Sequence, residues 1–339
     1  MDERNKDRFD EASEGTCERV RKILQALPRS IKQEAQEIRL RVGRPVSVCC
    51  PEGVRFVRKD GRVSDVPDSG CLVSDRDDLE SSFRILCSYS VYSHENEIRN
   101  GFVTLRGGHR AGICGTAVYQ NGAVSGLKDV SSINIRVARE IPGSADSLLE
   151  RLKKNIDAGL LLAGPPSSGK TTLLRDIARQ LSNGVSGTVR KVAVVDERGE
   201  IAGVCRGVPQ NDVGLCCDVL DGYPKADGIM LAVRCLSPQI IICDEIGSER
   251  EAYAVEQSLN AGVGVIASIH AGSVGELLRK KQALSILATG AFASVAMLES
   301  SPLPGHIAGI YRTGDLIAET GRGGSAHFCG NPGGIHGIA

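Results

Sequence analysis

The chain has 339 residues, of which 41% are hydrophobic and 24% charged, the balance of an ordinary folded protein of about two domains. Its 41 basic residues equal its 41 acidic ones, which excludes a global field for nucleic acid. With no Trp and 4% aromatic residues, a base-stacking platform is also disfavoured.

The first residues, 1–14, are polar and mixed in charge, and read as a disordered tail rather than a signal peptide. Val20, Ile23, Leu24 and Leu27 then recur at helical spacing up to Pro28, with a short second helix after it. "EIRLRVGRPVSVCC" alternates around a Gly-Arg-Pro turn and predicts a hairpin. "DRDDLESSFRILCSYSVYSH" predicts a helix with acidic residues in its first turn. "GFVTLRGGHRAGICGTAVYQNG" and "INIRVARE" add strands, with turns at Gly107-Gly108 and Asn121-Gly122. Residues 15–141 are therefore expected to form an α+β N-terminal domain.

Pro142-Gly143 punctuates the chain, and an amphipathic helix follows. Four short apolar runs then alternate with helical segments: "GLLLAG", "KVAVVDE", "QIIICDE" and "GVGVIASIH". Runs apolar at every position are buried on both faces, which predicts a parallel sheet covered by helices over 142–320. The Gly-rich end, 321–339, reads as a disordered tail.

The twelve cysteines are scattered, with adjacent pairs at 49-50 and 216-217 and no C-x-x-C spacing. They suit neither zinc nor a disulfide framework, and are expected to be reduced thiols in a cytoplasmic protein. No apolar run approaches the ~18 residues that span a bilayer, so any membrane association is expected to come through partners.

"AGPPSSGKTT" contains G-x-x-x-x-G-K-T between an apolar run and a helical face of Leu173, Leu174, Ile177, Ala178 and Leu181. Strand, glycine loop and helix aim backbone N–H groups and a helix N-terminus at phosphate. Gly164, Pro165, Pro166, Ser167, Ser168, Gly169, Lys170, Thr171 and Thr172 are therefore candidates to cradle ATP. Lys170 would reach the β- and γ-phosphates, and the Thr171 hydroxyl would hold Mg2+. "QIIICDE" ends in Asp244, a second Mg2+ anchor, and Glu245, which would polarise the attacking water. "KVAVVDERGE" presents Asp196, Glu197 and Glu200 around Arg198, read as help for the metal and water or as subunit contacts. "VIASIHAGS" ends in Ser268 and His270, and His270 is placed to sense the γ-phosphate. Phosphoryl transfer to water also needs positive charge on the transition state. Arg110, Arg136, Arg139 and Arg234 are the candidates.

With these residues in place, the chain resembles the stage III sporulation protein AA family over roughly residues 35–315. The likeness rests on "EIRLRVGRPV", "GGHRAGICGTAV", "INIRVARE", "AGPPSSGKTTLLRD", "VVDERGEIAG", "DVLDGYPKADGIMLAVRCLSPQIIICDEIG" and "SLNAGVGVIASIHAGS". "GAFASVAML" departs from the family pattern, lacking an arginine near 293–294. The resemblance implies a RecA-like P-loop ATPase core behind the smaller α+β domain, related to the traffic ATPases of type II and type IV secretion. It implies a hexameric ring in which nucleotide lies between the domains and is completed by arginines from the N-terminal side. "VVDERGE" matches the acidic box of those ATPases, with Asp196 and Glu197, and His270 their histidine box. Arg110 and Arg136 fall in matching N-terminal segments. The implied partners are membrane proteins of the channel between mother cell and forespore. The contrasting reading is a nucleic-acid translocase on the same core, whose ATPase activity would be stimulated by DNA and bind it with strong salt dependence.

Overall fold

The computed structural model describes residues 8–90, 94–99, 101–120, 122–185, 187–300 and 305–320. Residues 1–7 and 321–339, the ends read from sequence as disordered tails, lie outside the described residues. Residues 8–13 correct part of that reading. They form helix α1 (Arg8–Ser13), in which Phe9 is 2% and Ala12 0% exposed. A six-residue helix has almost no stability of its own. Burial of Phe9 in the N-terminal core supplies it, and a polar local sequence cannot reveal that contact.

The N-terminal sheet has seven strands: β1 (Glu37–Arg41), β2 (Ser47–Cys50), β3 (Gly53–Val57), β4 (Val63–Ser64), β5 (Phe102–Thr104), β6 (Arg110–Gln120) and β7 (Ala123–Arg136). Their order is β4-β3-β2-β1-β7-β6-β5, and every pairing is antiparallel. β1 shows why: Ile38 and Leu40 are fully buried while Glu37, Arg39 and Arg41 point the other way. The buried face packs on Val20 and Leu24 of α2 (Glu18–Gln25) and on Leu79 and Leu86 of α3 (Arg76–Leu86). A capping box between Asp75 and Asp78 starts α3, as the acidic run suggested.

The second sheet also has seven strands: β8 (Leu160–Gly164), β9 (Val192–Asp196), β10 (Cys217–Asp221), β11 (Ile240–Cys243), β12 (Gly264–His270), β13 (Ser294–Leu298) and β14 (Ile307–Arg312). Their order is β10-β9-β11-β12-β8-β13-β14, parallel except for β14. β8 is buried at every position. Leu160 and Leu162 enter one core with Leu173, Leu174 and Ile177 of α4 (Lys170–Asn183). Leu161 and Ala163 enter the opposite core with Ile229 of α5 (Lys225–Cys235) and Val255 of α6 (Glu249–Asn260). This two-sided burial is what makes the apolar runs continuous.

Gly159, immediately before β8, has φ +89°, and a Cβ there would lie 1.9 Å from the Ala291 carbonyl oxygen. Gly159→Ala is expected to cost about 3 kcal/mol through strain and overlap. A urea midpoint unchanged from wild type would contradict this.

Candidate phosphate-binding site

β8 delivers the chain to the phosphate loop and α4 carries it away. Ser167 (φ +59°) and Gly169 (φ +92°) are both left-handed, the alternation that turns successive amides toward one side as an anion nest. Pro166 and Ser167 are exposed at the loop's crest. At its floor, a Cβ on Gly164 would meet Ser168 Oγ at 2.6 Å, so this position accepts glycine alone. Ser168 is 1% exposed and its Oγ has no partner. Thr172, one residue into the helix beyond Thr171, lines a small crevice with Glu140 and Arg175.

Lys170 is 5% exposed. Its ammonium donates to the carbonyls of Gly164 (2.9 Å) and Pro165 (2.8 Å) and lies 3.2 Å from His270 Nδ1. Burial pulls its pKa below the ordinary lysine range, while Asp244 and Glu245 pull it back. Parallel pairing sets Gly164 opposite His270, which is why loop and histidine meet. An ammonium only donates, so Nδ1 accepts and Nε2 carries the proton. His270 Nε2 then donates to Glu245 Oε1 at 2.6 Å.

β11 ends at the two carboxylates. Thr171 Oγ1 donates to Asp244 Oδ2 at 2.6 Å, and Ser268 Oγ donates to Asp244 Oδ1. The Glu245 amide is held by Asp244 Oδ1 (3.0 Å) and Ser268 Oγ (2.9 Å). Glu245 has φ +48°, a left-handed backbone that a non-glycine residue adopts only when its surroundings impose it. Its Oε2 accepts from Arg198 at 3.0 Å. Burial pushes the Glu245 carboxyl upward. The His270 hydrogen bond and the charges of Arg198 and Lys170 outweigh that, and hold it below the usual carboxylate range. Glu245 is thus an ionised acceptor at neutral pH.

The donors Thr171 and Asp244 fit a magnesium ion: hard oxygens, one carboxylate and one hydroxyl, beside a loop able to take phosphate. Mg2+ is usually held by one or two carboxylates together with substrate phosphates.

The acidic stretch after β9 departs from the sequence reading. Asp196 is 2% exposed and accepts the amides of Glu200 (2.9 Å), Ile201 (3.2 Å) and Ala202 (2.8 Å). It fastens its own loop. Asp196→Ala would strand those amides and is expected to cost about 3 kcal/mol, read as a lower unfolding midpoint. An unchanged midpoint would contradict the fastening role. Glu197 pairs with Lys225 at 2.6 Å, and Lys225, 8% exposed, also lies 3.8 Å from Glu251.

The arginines divide. Arg110 donates to Glu200 at 2.9 Å and stacks on Phe102 at 3.5 Å, so it joins the N-terminal sheet to the loop after β9 of its own chain. Arg136, on β7, is 67% exposed and 3.6 Å from Glu37. Among the described residues no hydrogen bond or ion pair joins it to the phosphate loop. Arg139 donates to the Lys32 carbonyl at 2.9 Å, and Arg234 lines a groove between α5 and α6. Arg198 and Lys225 are the functional candidates that sequence reading left unassigned. Their partners are 47 and 28 residues away, beyond any local pattern.

The eleven described cysteines are unpaired. Cys243 beneath Asp244 is fully buried, and burial pushes its thiol to about 12.

A phosphate loop after the first strand of a parallel sheet, with a carboxylate pair on the strand beyond its neighbour, defines a P-loop nucleotide-binding fold of the RecA-like class. The DotB ATPase of Legionella pneumophila has the same fold at a TM-score of 0.50 and 17% identity, over 83% of this chain and 75% of that one. The DotB ATPase of Yersinia pseudotuberculosis matches at 0.52 and 14%, over 85% and 81%. The chain belongs to the family described as sporulation stage III, protein AA, whose model matches residues 6–317. The stage III sporulation protein AA of Bacillus subtilis (strain 168) is 37% identical over 314 residues, 92% of this chain and 98% of that relative.

Proposed function

We propose that this protein is an Mg2+-dependent ATPase, a ring-forming motor of the secretion kind working in endospore formation. The observation that carries the reading is one continuous set of contacts: Lys170 to His270, His270 to Glu245, and Thr171 to Asp244. Residues 164–172 would hold the nucleotide phosphates, with Lys170 leaving its carbonyl partners for the β- and γ-oxygens. Thr171 and Asp244 would hold Mg2+, which when bound neutralises charge that develops on the phosphates. Glu245 would orient the attacking water as an acceptor. Arrival of the γ-phosphate at Lys170 would be felt by His270, which shares contacts with both groups. Glu197 would serve this scheme by fixing Lys225 in the crevice it shares with Asp244 and Glu245.

The transition state needs a cation that can reach it. Arg110 is held by Glu200 at 2.9 Å, while Arg136 is 67% exposed with only a longer 3.6 Å contact to Glu37, which makes Arg136 the better candidate to reach the site of a neighbouring copy. A hexamer would place it there. No helix among the described residues is long and apolar enough to cross a membrane. A cytoplasmic place, docked on membrane proteins of the channel between mother cell and forespore, accommodates this. ATPase rate per chain, measured against protein concentration beside native mass, is expected to climb as rings form. A flat rate from a monomer would remove the shared-site scheme. Added DNA is expected to leave the rate unchanged.

A further inference from the structure

Arg175 lies on α4, just over one turn beyond Lys170. Its guanidinium donates to three main-chain carbonyls: Nε to Ile201 (2.8 Å), one terminal nitrogen to Glu200 (2.7 Å) and the other to Arg139 (3.5 Å). Keeping a guanidinium partly out of water costs free energy unless its donors are satisfied, and here the planar fork does so on three carbonyls at once.

Each carbonyl belongs to a segment with its own attachment. Residues 200 and 201 carry amides that Asp196 accepts, so their peptide units are pinned from both sides. The same loop carries Arg198, which holds Glu245, and Glu200, which Arg110 grips from the N-terminal sheet. The third carbonyl, at Arg139, lies in the stretch leaving β7. That stretch is bound to the N-terminal domain through Val137 N–H to the Gln36 carbonyl (2.8 Å) and through the Arg139 side chain to the Lys32 carbonyl (2.9 Å). Its next residue, Glu140, accepts the Asp212 amide at 2.8 Å.

We infer that Arg175 is a positioning residue that couples occupancy of the phosphate loop to the docking of the two domains. A phosphate seated at 164–171 pulls on the first turn of α4. Arg175, on the next turn, passes that movement to the loop carrying Arg198 and to the segment that leaves the N-terminal sheet. The link is rigid because one flat group bonds both. A lysine, whose donors all sit on one nitrogen, cannot reach carbonyls that Arg175 meets from three separate nitrogens of a planar fork. Coupling of this kind presupposes the nucleotide reading proposed above.

Hydrogen–deuterium exchange on the full chain, with and without Mg2+ and a non-hydrolysable ATP analogue, tests it. In wild type the analogue should slow exchange roughly tenfold at 170–174 and also at 138–141 and 200–202. In Arg175→Lys, slowing at 170–174 should persist while that at 138–141 disappears. KM for ATP should then stay near wild type while kcat falls roughly tenfold. Arg175→Gln, which keeps a planar donor without the charge, should show the same split, and it serves if the lysine variant does not fold. Slowing at 138–141 that survives in a folded variant, or that is missing from wild type while 170–174 responds, would overturn the coupling. No slowing at 170–174 in wild type would instead remove the nucleotide reading itself.

Discussion

Lys170→Ala is expected to abolish measurable turnover, with kcat down by roughly a hundredfold to a thousandfold and ATP bound more weakly. Lys170 is nearly buried, and its ammonium rests on the Gly164 and Pro165 carbonyls. Those carbonyls and His270 hold it in the mouth of the loop before any phosphate arrives. Little reorganisation is then needed when phosphate oxygens take their place. Removing the ammonium takes away a preorganised positive charge from a site where water is scarce, which is where such charges matter most. It also cuts the 3.2 Å contact with His270 through which, on the proposed scheme, the γ-phosphate would be registered. The fold should survive, since the helix buries Leu173, Leu174 and Ile177 independently of this side chain. Phosphate release and a urea melt on the same preparation separate the outcomes. Wild-type turnover in a folded variant would end the assignment of this loop.

Glu245→Gln is the companion case, and its signature differs. Turnover should fall roughly a hundredfold to ten-thousandfold while ATP affinity stays near wild type. The carboxylate is held in its ionised form by His270, Arg198 and Lys170, so its value lies in accepting a proton or hydrogen bond from water. A glutamine keeps the size and can still accept from His270 Nε2, but its neutral amide is a poor base. The left-handed backbone at 245 is imposed by Asp244 and Ser268 on the main-chain amide, and those contacts do not depend on the carboxylate. The variant should therefore fold and hold ATP without using it. Equilibrium binding of a fluorescent ATP beside phosphate release tests the pair. A variant that loses binding and turnover together would show that Glu245 shapes the nucleotide site rather than the water.

The parts of the architecture legible in the sequence were those with a local cause. β8, β9, β11 and β12 announce themselves because burial on both faces keeps them apolar until their C-terminal ends, where Asp196, Ser268 and His270 lie. The phosphate loop is legible because its glycines, lysine and threonine are fixed by spacing. Edge elements are less so: β10, "CDVLD", mixes exposed acids with Leu220 because only one side of it is covered by a neighbouring strand. Helix α1 is invisible for a related reason, since its stability comes from where Phe9 lands. Within the site, Lys170 and Thr171 at the start of α4 converge with Asp244, Glu245 and His270 at strand ends, as the motif and strand-end positions suggested. Asp196 did not follow, because an acid at a strand end looks the same in sequence whether it takes a metal or three amides. Arg198 on Glu245 and Lys225 on Glu197 are set by the sheet's crossover order, which brings loops after β9, β10 and β11 together.

The central claim is that residues 164–172 and Glu245 together make a site that binds and hydrolyses ATP. Phosphate release from Mg2+-ATP by the purified full chain, at concentrations where native mass shows assembly, measures it most directly. Steady turnover that stops with EDTA and is absent from Lys170→Ala is the expected result. Assembled, folded protein that releases no phosphate above the Lys170→Ala background would contradict it.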